Sequence, residues 1–286
     1  MPVSTTSLLP LEKYYPVLTL PTEITSAIFT HFLPLYPSCP PLTGLESPNL
    51  LTHICHDWRE IALRTPRLWR AIPIFDPRVE QHLEWVCLWL QRSQPMPLSL
   101  HIWSPYRPLP NSAITAIIPH RHRYASLVLY FAQASAVAAL DGPMPLLEHL
   151  DLSITDKSSG VVFNEAPLLL RGAYLVEELA LSSLLNMRDS TTLPRLESLK
   201  IRVTILGAPL GSPSLILPAL RHLAVEAARI GPEIVGDIGS LTNFMENARC
   251  SRLAQLSITG PPSAQSLEDT YRTAFPSVSV TFNRRR

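Results

Sequence analysis

Leu147-Glu148-His149-Leu150-Asp151-Leu152 is one of six short stretches in which apolar and polar residues follow the same pattern. In each stretch an apolar or aromatic residue is followed by others three and five positions later. This alternation predicts a strand with one buried face. The six stretches begin at Tyr124, Leu147, Leu170, Leu196, Leu220 and Leu253.

The spacing of these stretches indicates a repeated unit. Four of the five intervals between them fall within the roughly 20–29 residues typical of leucine-rich repeats. Each unit is expected to supply one strand and to return through a helix or an irregular segment. A competing register places the third strand at 176–181 instead of 170–175. An ordinary α/β domain with leucine-rich strands is the alternative interpretation.

Four further segments carry clear patterns. Residues 79–92 place apolar side chains at helical spacing and predict a helix, and residues 238–248 predict another. Residues 97–102 alternate as a strand does, and residues 275–282 predict the last strand of the chain.

Upstream of the strands, Leu20-Pro21-Thr22-Glu23-Ile24 predicts the start of a helix. Proline is favoured at the first helical position, where its missing N–H costs nothing, and the helix dipole favours a carboxylate in the first turn. The residues that follow form an apolar stripe of helical period that stops at Pro34, with Phe29 beside it. The stripe consists of Ile24, Ala27, Ile28 and Phe32.

A second apolar stripe predicts one continuous helix between Ser47-Pro48 and Thr65-Pro66. Its members are Leu51, Ile54, Cys55, Trp58, Ile61 and Ala62. Two helices this short cannot bury two wide apolar faces alone. Some of these side chains therefore face either the rest of the chain or a partner.

The joint spacing of Leu-Pro, Ile-Phe, Cys-x-x-Trp-Arg and Thr-Pro-x-Leu-Trp over residues 20–69 resembles the F-box proteins of mushroom-forming fungi. The F-box docks a substrate receptor on the Skp adaptor, which bridges to the cullin of a ubiquitin ligase. The resemblance implies that the adaptor-binding residues are Leu20, Pro21, Ile24, Ile28, Phe29, Ile54, Cys55, Trp58, Leu68 and Trp69. The alternative for each of these residues is a place in the core of this chain.

Two features depart from the family pattern. Thr25 stands where the family often has leucine, which narrows the apolar face of the first helix. The linker from Pro34 to Pro48 carries five prolines and is longer than in compact F-boxes, which predicts looser coupling between the flanking helices.

The composition bounds the function. Hydrophobic residues make up 46% of the 286-residue chain and charged residues 16%, which suffices for a sizeable core. A net charge of +1 gives no electrostatic footprint for nucleic acid. No membrane span and no secretion signal are expected. Four cysteines without recurring spacing indicate reduced thiols and a cytoplasmic or nuclear location.

An enzymatic function is not expected. Motifs for nucleotide binding, for an α/β-hydrolase nucleophile and for a zinc protease are absent from the sequence. His53, Cys55 and His56 are the tightest set of metal-ligand types, but on a helix they point in different directions. Neither a metal nor another cofactor is predicted.

The sequence thus predicts an α+β fold class, in which a small N-terminal all-α F-box precedes an irregular α/β leucine-rich-repeat solenoid. The predicted divisions are an N-terminal segment (1–15), the F-box (16–75) and the repeat region (76–286). The expected function is the substrate-recognition subunit of a Skp-cullin-F-box ubiquitin ligase, with an unknown protein as substrate. A leucine-rich interaction scaffold with no role in ubiquitin transfer is the alternative.

Overall fold

A computed structural model describes residues 19–75, 79–104, 109–131, 142–154, 176–181, 191–206, 215–230, 235–260 and 267–284. Its helices are α1 (Thr22–Phe32), α2 (Pro48–Leu51), α3 (His56–Leu63), α4 (Val79–Arg92), α5 (Asn111–Ile117), α6 (Val235–Asn247) and α7 (Glu268–Ala274). Two 3-10 helices, Pro66–Trp69 and Ile118–Arg123, lie just before the first and third strands. The strands are β1 (Ala71–Phe75), β2 (Leu98–Ser104), β3 (Tyr124–Phe131), β4 (His149–Ile154), β5 (Glu178–Leu181), β6 (Thr191–Thr192), β7 (Ser198–Leu206), β8 (Leu215–Ile216), β9 (His222–Ile230), β10 (Gln255–Gly260) and β11 (Ser279–Arg284).

Nine of these strands form one parallel sheet. They lie side by side in chain order, β1-β2-β3-β4-β5-β7-β9-β10-β11, while β6 and β8 pair with each other in a separate two-stranded sheet. Parallel neighbours cannot be joined by a tight hairpin, so a crossover separates each pair of neighbouring strands.

Two apolar rows cross the sheet on its inner face. The first row includes Ile72, Leu100, Leu127, Leu150, Leu199, Leu223, Leu256 and Val280, which the register aligns across the sheet. The second row, two residues further along each strand, runs from Ile74 through Leu152 to Ile258. Burial of a large apolar side chain stabilises a fold by about 1.5–3 kcal/mol, so these rows dominate the core.

The helices before β1 bury side chains in the same core. Trp69 is fully buried, and its ring meets that of Trp89 from α4 edge-on, with 5.6 Å between centroids. The indole Nε1 of Trp69 donates a hydrogen bond of 3.0 Å to the carbonyl of Ala62. Phe29, Trp69 and the sheet residues therefore belong to one continuous apolar cluster.

The predicted fold class is wrong. The structure is α/β, and a parallel sheet dominates its core, so it is not a small all-α domain followed by a leucine-rich-repeat solenoid. The reason lies at the end of the predicted F-box, where residues 71–75 form β1 and pair with β2 instead of closing a separate helical unit. Residues 1–15, the predicted N-terminal segment, lie outside the described residues.

Most individual strand predictions are confirmed. The stretches beginning at Tyr124, Leu147, Leu196, Leu220 and Leu253 overlap β3, β4, β7, β9 and β10, which extend beyond them. The stretch at 170–175 lies outside the described residues, whereas the competing register at 176–181 contains β5, which pairs with β4 and β7. The predicted segments at 79–92, 97–102, 238–248 and 275–282 contain α4, β2, most of α6 and the start of β11.

The prediction of one continuous helix between Ser47 and Thr65 is wrong, because the segment forms two helices. The chain forms α2 and α3 with a turn between them, because Cys55 leaves the helix and caps α3. Its Sγ accepts a hydrogen bond of 3.5 Å from the backbone N–H of Trp58.

Among the helices of the described residues, none combines the length and the apolar character that crossing a bilayer requires.

Candidate functional site

The first helix turns its apolar stripe away from the core. Leu20, Ile24, Ile28 and Phe32 follow one another at four-residue intervals, and between 38% and 49% of each is exposed. Side chains four apart share one helix face, so Ile24, Ile28 and Phe32 form an outward row, and we add to it Leu20, which is exposed just before the helix begins. We call this row the α1 stripe. A soluble chain seldom leaves such a row uncovered.

The opposite face of α1 is the one that packs. Thr25 and Phe29 are buried, and the Phe29 ring lies 4.9 Å from the Trp58 ring of α3, with their planes inclined at 60°. The hydroxyl of Thr25 donates to the carbonyl of Pro21 at 3.3 Å. Thr25, where the family often has leucine, therefore narrows the buried face of the helix and leaves the exposed one unchanged.

The turn between α2 and α3 presents a further apolar side chain. Ile54 is half exposed there. Arg59 holds the turn in place, because its Nε donates a hydrogen bond of 2.7 Å to the carbonyl of Thr52. Ser47 caps α2 by accepting from the N–H of Asn49.

The structure divides the ten predicted adaptor-binding residues into three groups. The exposed group consists of Leu20, Pro21, Ile24, Ile28 and Ile54. Cys55 and Trp58 are partly buried at the start of α3. Phe29, Leu68 and Trp69 are buried in the core of this chain.

Sequence reasoning did not assign Phe32, Leu35 or Leu45 to the site, although all three are exposed and large. Phe32 completes the α1 stripe at the same four-residue interval, and that spacing was the available signal. Leu35 and Leu45 lie in the proline-rich linker, where no periodic pattern marks them.

The linker itself is anchored, contrary to the looser coupling expected from its length. Ser99 of β2 donates a hydrogen bond of 2.6 Å to the carbonyl of Pro37. At the other end of the linker, Ser47 Oγ and Asn49 Nδ2 both donate to the carbonyl of Leu42, at 2.8 and 2.7 Å. These bonds fix the linker to both the sheet and α2.

A cavity of about 460 Å³ lies between the start of α1 and α3, next to the α1 stripe. Leu20 and Ile61 give it apolar walls, and Glu23, Asp57 and Glu60 line it with carboxylates. Arg64 neutralises one of them, since its Nη2 lies 3.3 Å from Glu60 Oε2. The remaining negative charge suits a basic side chain of a partner.

The outer face of the sheet, opposite the apolar rows, offers a second surface. Phe75, Trp103 and Tyr130 lie in register across β1, β2 and β3, and the rings of Trp103 and Tyr130 are 4.5 Å apart. Trp103 and Phe75 are both more than a third exposed. This aromatic row is defined here as the aromatic shelf.

Pairs of polar and charged side chains occupy the same face beyond the aromatic shelf. His149 Nδ1 lies 3.1 Å from Glu178 Oε2, and Lys200 on β7 pairs with Glu226 on β9. An aromatic region beside a charged region gives this face the composition of a protein-recognition surface.

His53 and His56 are exposed, and Cys55 is turned toward the α3 N-terminus as a cap. Within the part of the chain that the structure describes, no three His, Cys, Asp or Glu side chains are grouped so that they could hold a metal ion.

Comparisons of the chain with models of protein families, with curated proteins and with solved structures find no match.

Proposed function

We propose that this chain is the substrate-recognition subunit of a Skp-cullin-F-box ubiquitin ligase. The α1 stripe, with Pro21 and Ile54, docks on the Skp adaptor and through it on the cullin. The chain does no bond chemistry of its own. It raises the effective concentration of a substrate protein beside the ubiquitin-charged enzyme, in the cytoplasm or the nucleus.

The observation that carries this proposal is the outward direction of the α1 stripe. The positions that the family resemblance assigns to adaptor contact include Leu20, Ile24 and Ile28, and these are the side chains that the packing of Phe29 leaves exposed. Covering several large apolar side chains at about 1.5–3 kcal/mol each is enough for a specific interface.

The outer face of the sheet is the proposed substrate surface. Aromatic side chains dominate binding energy at protein interfaces, because they bury a large area at a small cost in conformational entropy. The aromatic shelf concentrates such side chains, and the charged pairs beside it supply orientation.

The test is a pull-down with purified Skp adaptor. Ile24→Asp and Ile28→Asp together should lower adaptor affinity at least tenfold, roughly the effect of 1.4 kcal/mol. Leu146→Asp is the matched control, because Leu146 is exposed to a similar degree but precedes β4. Equal adaptor binding by both proteins would sink the docking proposal.

The same preparation separates the proposal from its alternative. A scaffold without a role in ubiquitin transfer would retain its protein partners but would not bring down cullin together with the adaptor. Capture of both, lost in the α1 double variant, supports the ligase function.

A further inference from the structure

A second cavity, of about 370 Å³, lies where the end of α1, the proline-rich linker and the 3-10 helix before β1 meet. It is separate from the acidic cavity beside the α1 stripe. Its basic lining consists of His31 from the last turn of α1, and Arg67 and Arg70 from the segment that enters β1. No carboxylate is among the described residues that line it.

The two guanidinium groups share this cavity because of local backbone geometry. Arg67 lies within the 3-10 helix Pro66–Trp69, and Arg70 is the residue that ends it. Residues three apart in a 3-10 helix lie on the same side. Leu68 and Trp69 occupy the core side, which leaves both arginines on the cavity side.

Neither arginine is neutralised within the described part of the chain. No ion pair or side-chain hydrogen bond joins Arg67 or Arg70 to another described residue. The guanidinium carbon of Arg70 lies 3.8 Å above the centre of the Tyr36 ring, so its donors remain available. Burial lowers the pKa of Arg70, and the nearby charge of Arg67 lowers it further. Tyr36 acts in the opposite direction and raises it.

Tyr36 lines the cavity beside Arg70. Its hydroxyl is buried and has no hydrogen-bond partner in the described residues. Burial raises the pKa of Tyr36, and this effect is larger than the lowering caused by Arg70. Glu148 and Cys39 raise the pKa further. The hydroxyl therefore carries its proton at neutral pH, so Tyr36 adds no negative charge to the cavity.

We propose that this cavity binds a phosphate group carried on a larger molecule. Two guanidinium forks match the oxygens of a phosphate, and a dianion balances two fixed positive charges where a single carboxylate would balance one. The volume exceeds that of a bare phosphate and falls in the range of small-molecule sites, and Leu33 and Pro40 give it an apolar wall. This site is independent of the proposed ligase function.

The experiment is isothermal titration calorimetry on the full chain at constant ionic strength and pH 7.5. The probes are inorganic phosphate, O-phosphoserine and adenosine monophosphate, which separate a free ion, a modified side chain and a nucleotide as sources of the group. Saturable binding of at least one probe is expected. Replacing both arginines, Arg67→Gln and Arg70→Gln, should weaken it at least tenfold, as expected for the loss of charge-assisted hydrogen bonds.

Arg252→Gln is the matched control, because Arg252 is exposed and lies away from the cavity, just before β10. This variant should bind phosphate as the parent does. Tyr36→Phe keeps both the charge of the site and the ring under Arg70, so this variant should also bind phosphate as the parent does. The proposal is overturned if the parent shows no saturable binding, or if the arginine double variant and the parent bind equally.

Discussion

The guanidinium of Arg123 donates a hydrogen bond of 2.8 Å to the hydroxyl of Ser93, and this bond joins the end of α4 to the start of β3. The same side chain donates to the carbonyl of Met96 from Nε and Nη2, at 3.1 and 2.9 Å, and to that of Leu90 at 3.4 Å. Arg123 is buried. The basic run His120-Arg121-His122-Arg123 therefore contains a residue that supports the fold.

Arg123→Met should lower the free energy of unfolding by about 2–4 kcal/mol, because it leaves buried carbonyls without donors. Arg123→Lys should restore little of this, since one ammonium cannot reproduce the fork of the guanidinium. Urea denaturation followed by circular dichroism measures both. A change below about 0.5 kcal/mol would show that water replaces the arginine without cost.

Phe29→Ala and Ile28→Ala should separate folding from docking at adjacent positions. Loss of the buried Phe29 ring should cost about 3–5 kcal/mol of stability, because its contact with Trp58 is lost. Ile28→Ala should change stability by no more than about 0.5 kcal/mol but weaken adaptor binding. Thermal melts and the adaptor pull-down, run on both proteins, check this; the reverse assignment of effects would mean that α1 packs through its other face.

The cysteines should differ widely in reactivity toward iodoacetamide at pH 8. Cys87 is exposed and should be modified first. Burial raises the pKa of the Cys39 thiol to about 12 and that of Cys250 to about 11, so almost no reactive thiolate forms at either residue. Peptide mass spectrometry over time ranks the four sites. Rapid loss of the Cys39 thiol in the folded protein would contradict its burial.

Stability should fall as pH rises above 9. In the unfolded chain a thiol loses its proton near pH 9, whereas Cys39 and Cys250 keep theirs in the folded state until about pH 12 and 11. The folded state therefore binds more protons in this window, and each thiol removes up to about 1.4 kcal/mol of stability per pH unit. Below pH 9 the thiols are protonated in both states, so they cause no loss of stability there. Urea denaturation at pH 8, 9 and 10 should show a shallower slope for Cys39→Ala.

The strands were the most predictable part of the fold. Leu150, Leu199 and Leu223 lie in one buried row across the sheet. The sequence could predict this because the alternation of apolar and polar residues defines both a strand and the face that it buries. For the third strand the same pattern fitted two positions. Pairing of β5 with its neighbours, which involves residues distant in the chain, selects 178–181.

The apolar stripe of the first helix was predictable from the sequence, but the direction in which it faces was not. The period of Ile24, Ala27, Ile28 and Phe32 correctly indicated a helix with an apolar stripe. It could not show that Phe29 would be the residue turned inward, since that depends on Trp58 in another helix. The turn at Cys55 was not predictable, because the helical spacing of apolar residues continues across it. What marks the turn is the hydrogen bond from the N–H of Trp58 to the Cys55 side chain, which begins a new helix.

The order of the strands bears on how the protein is made. Each strand from β2 to β11 in the large sheet has a neighbour that is synthesised before it. No strand of this sheet therefore has to be inserted between two strands that are both synthesised earlier.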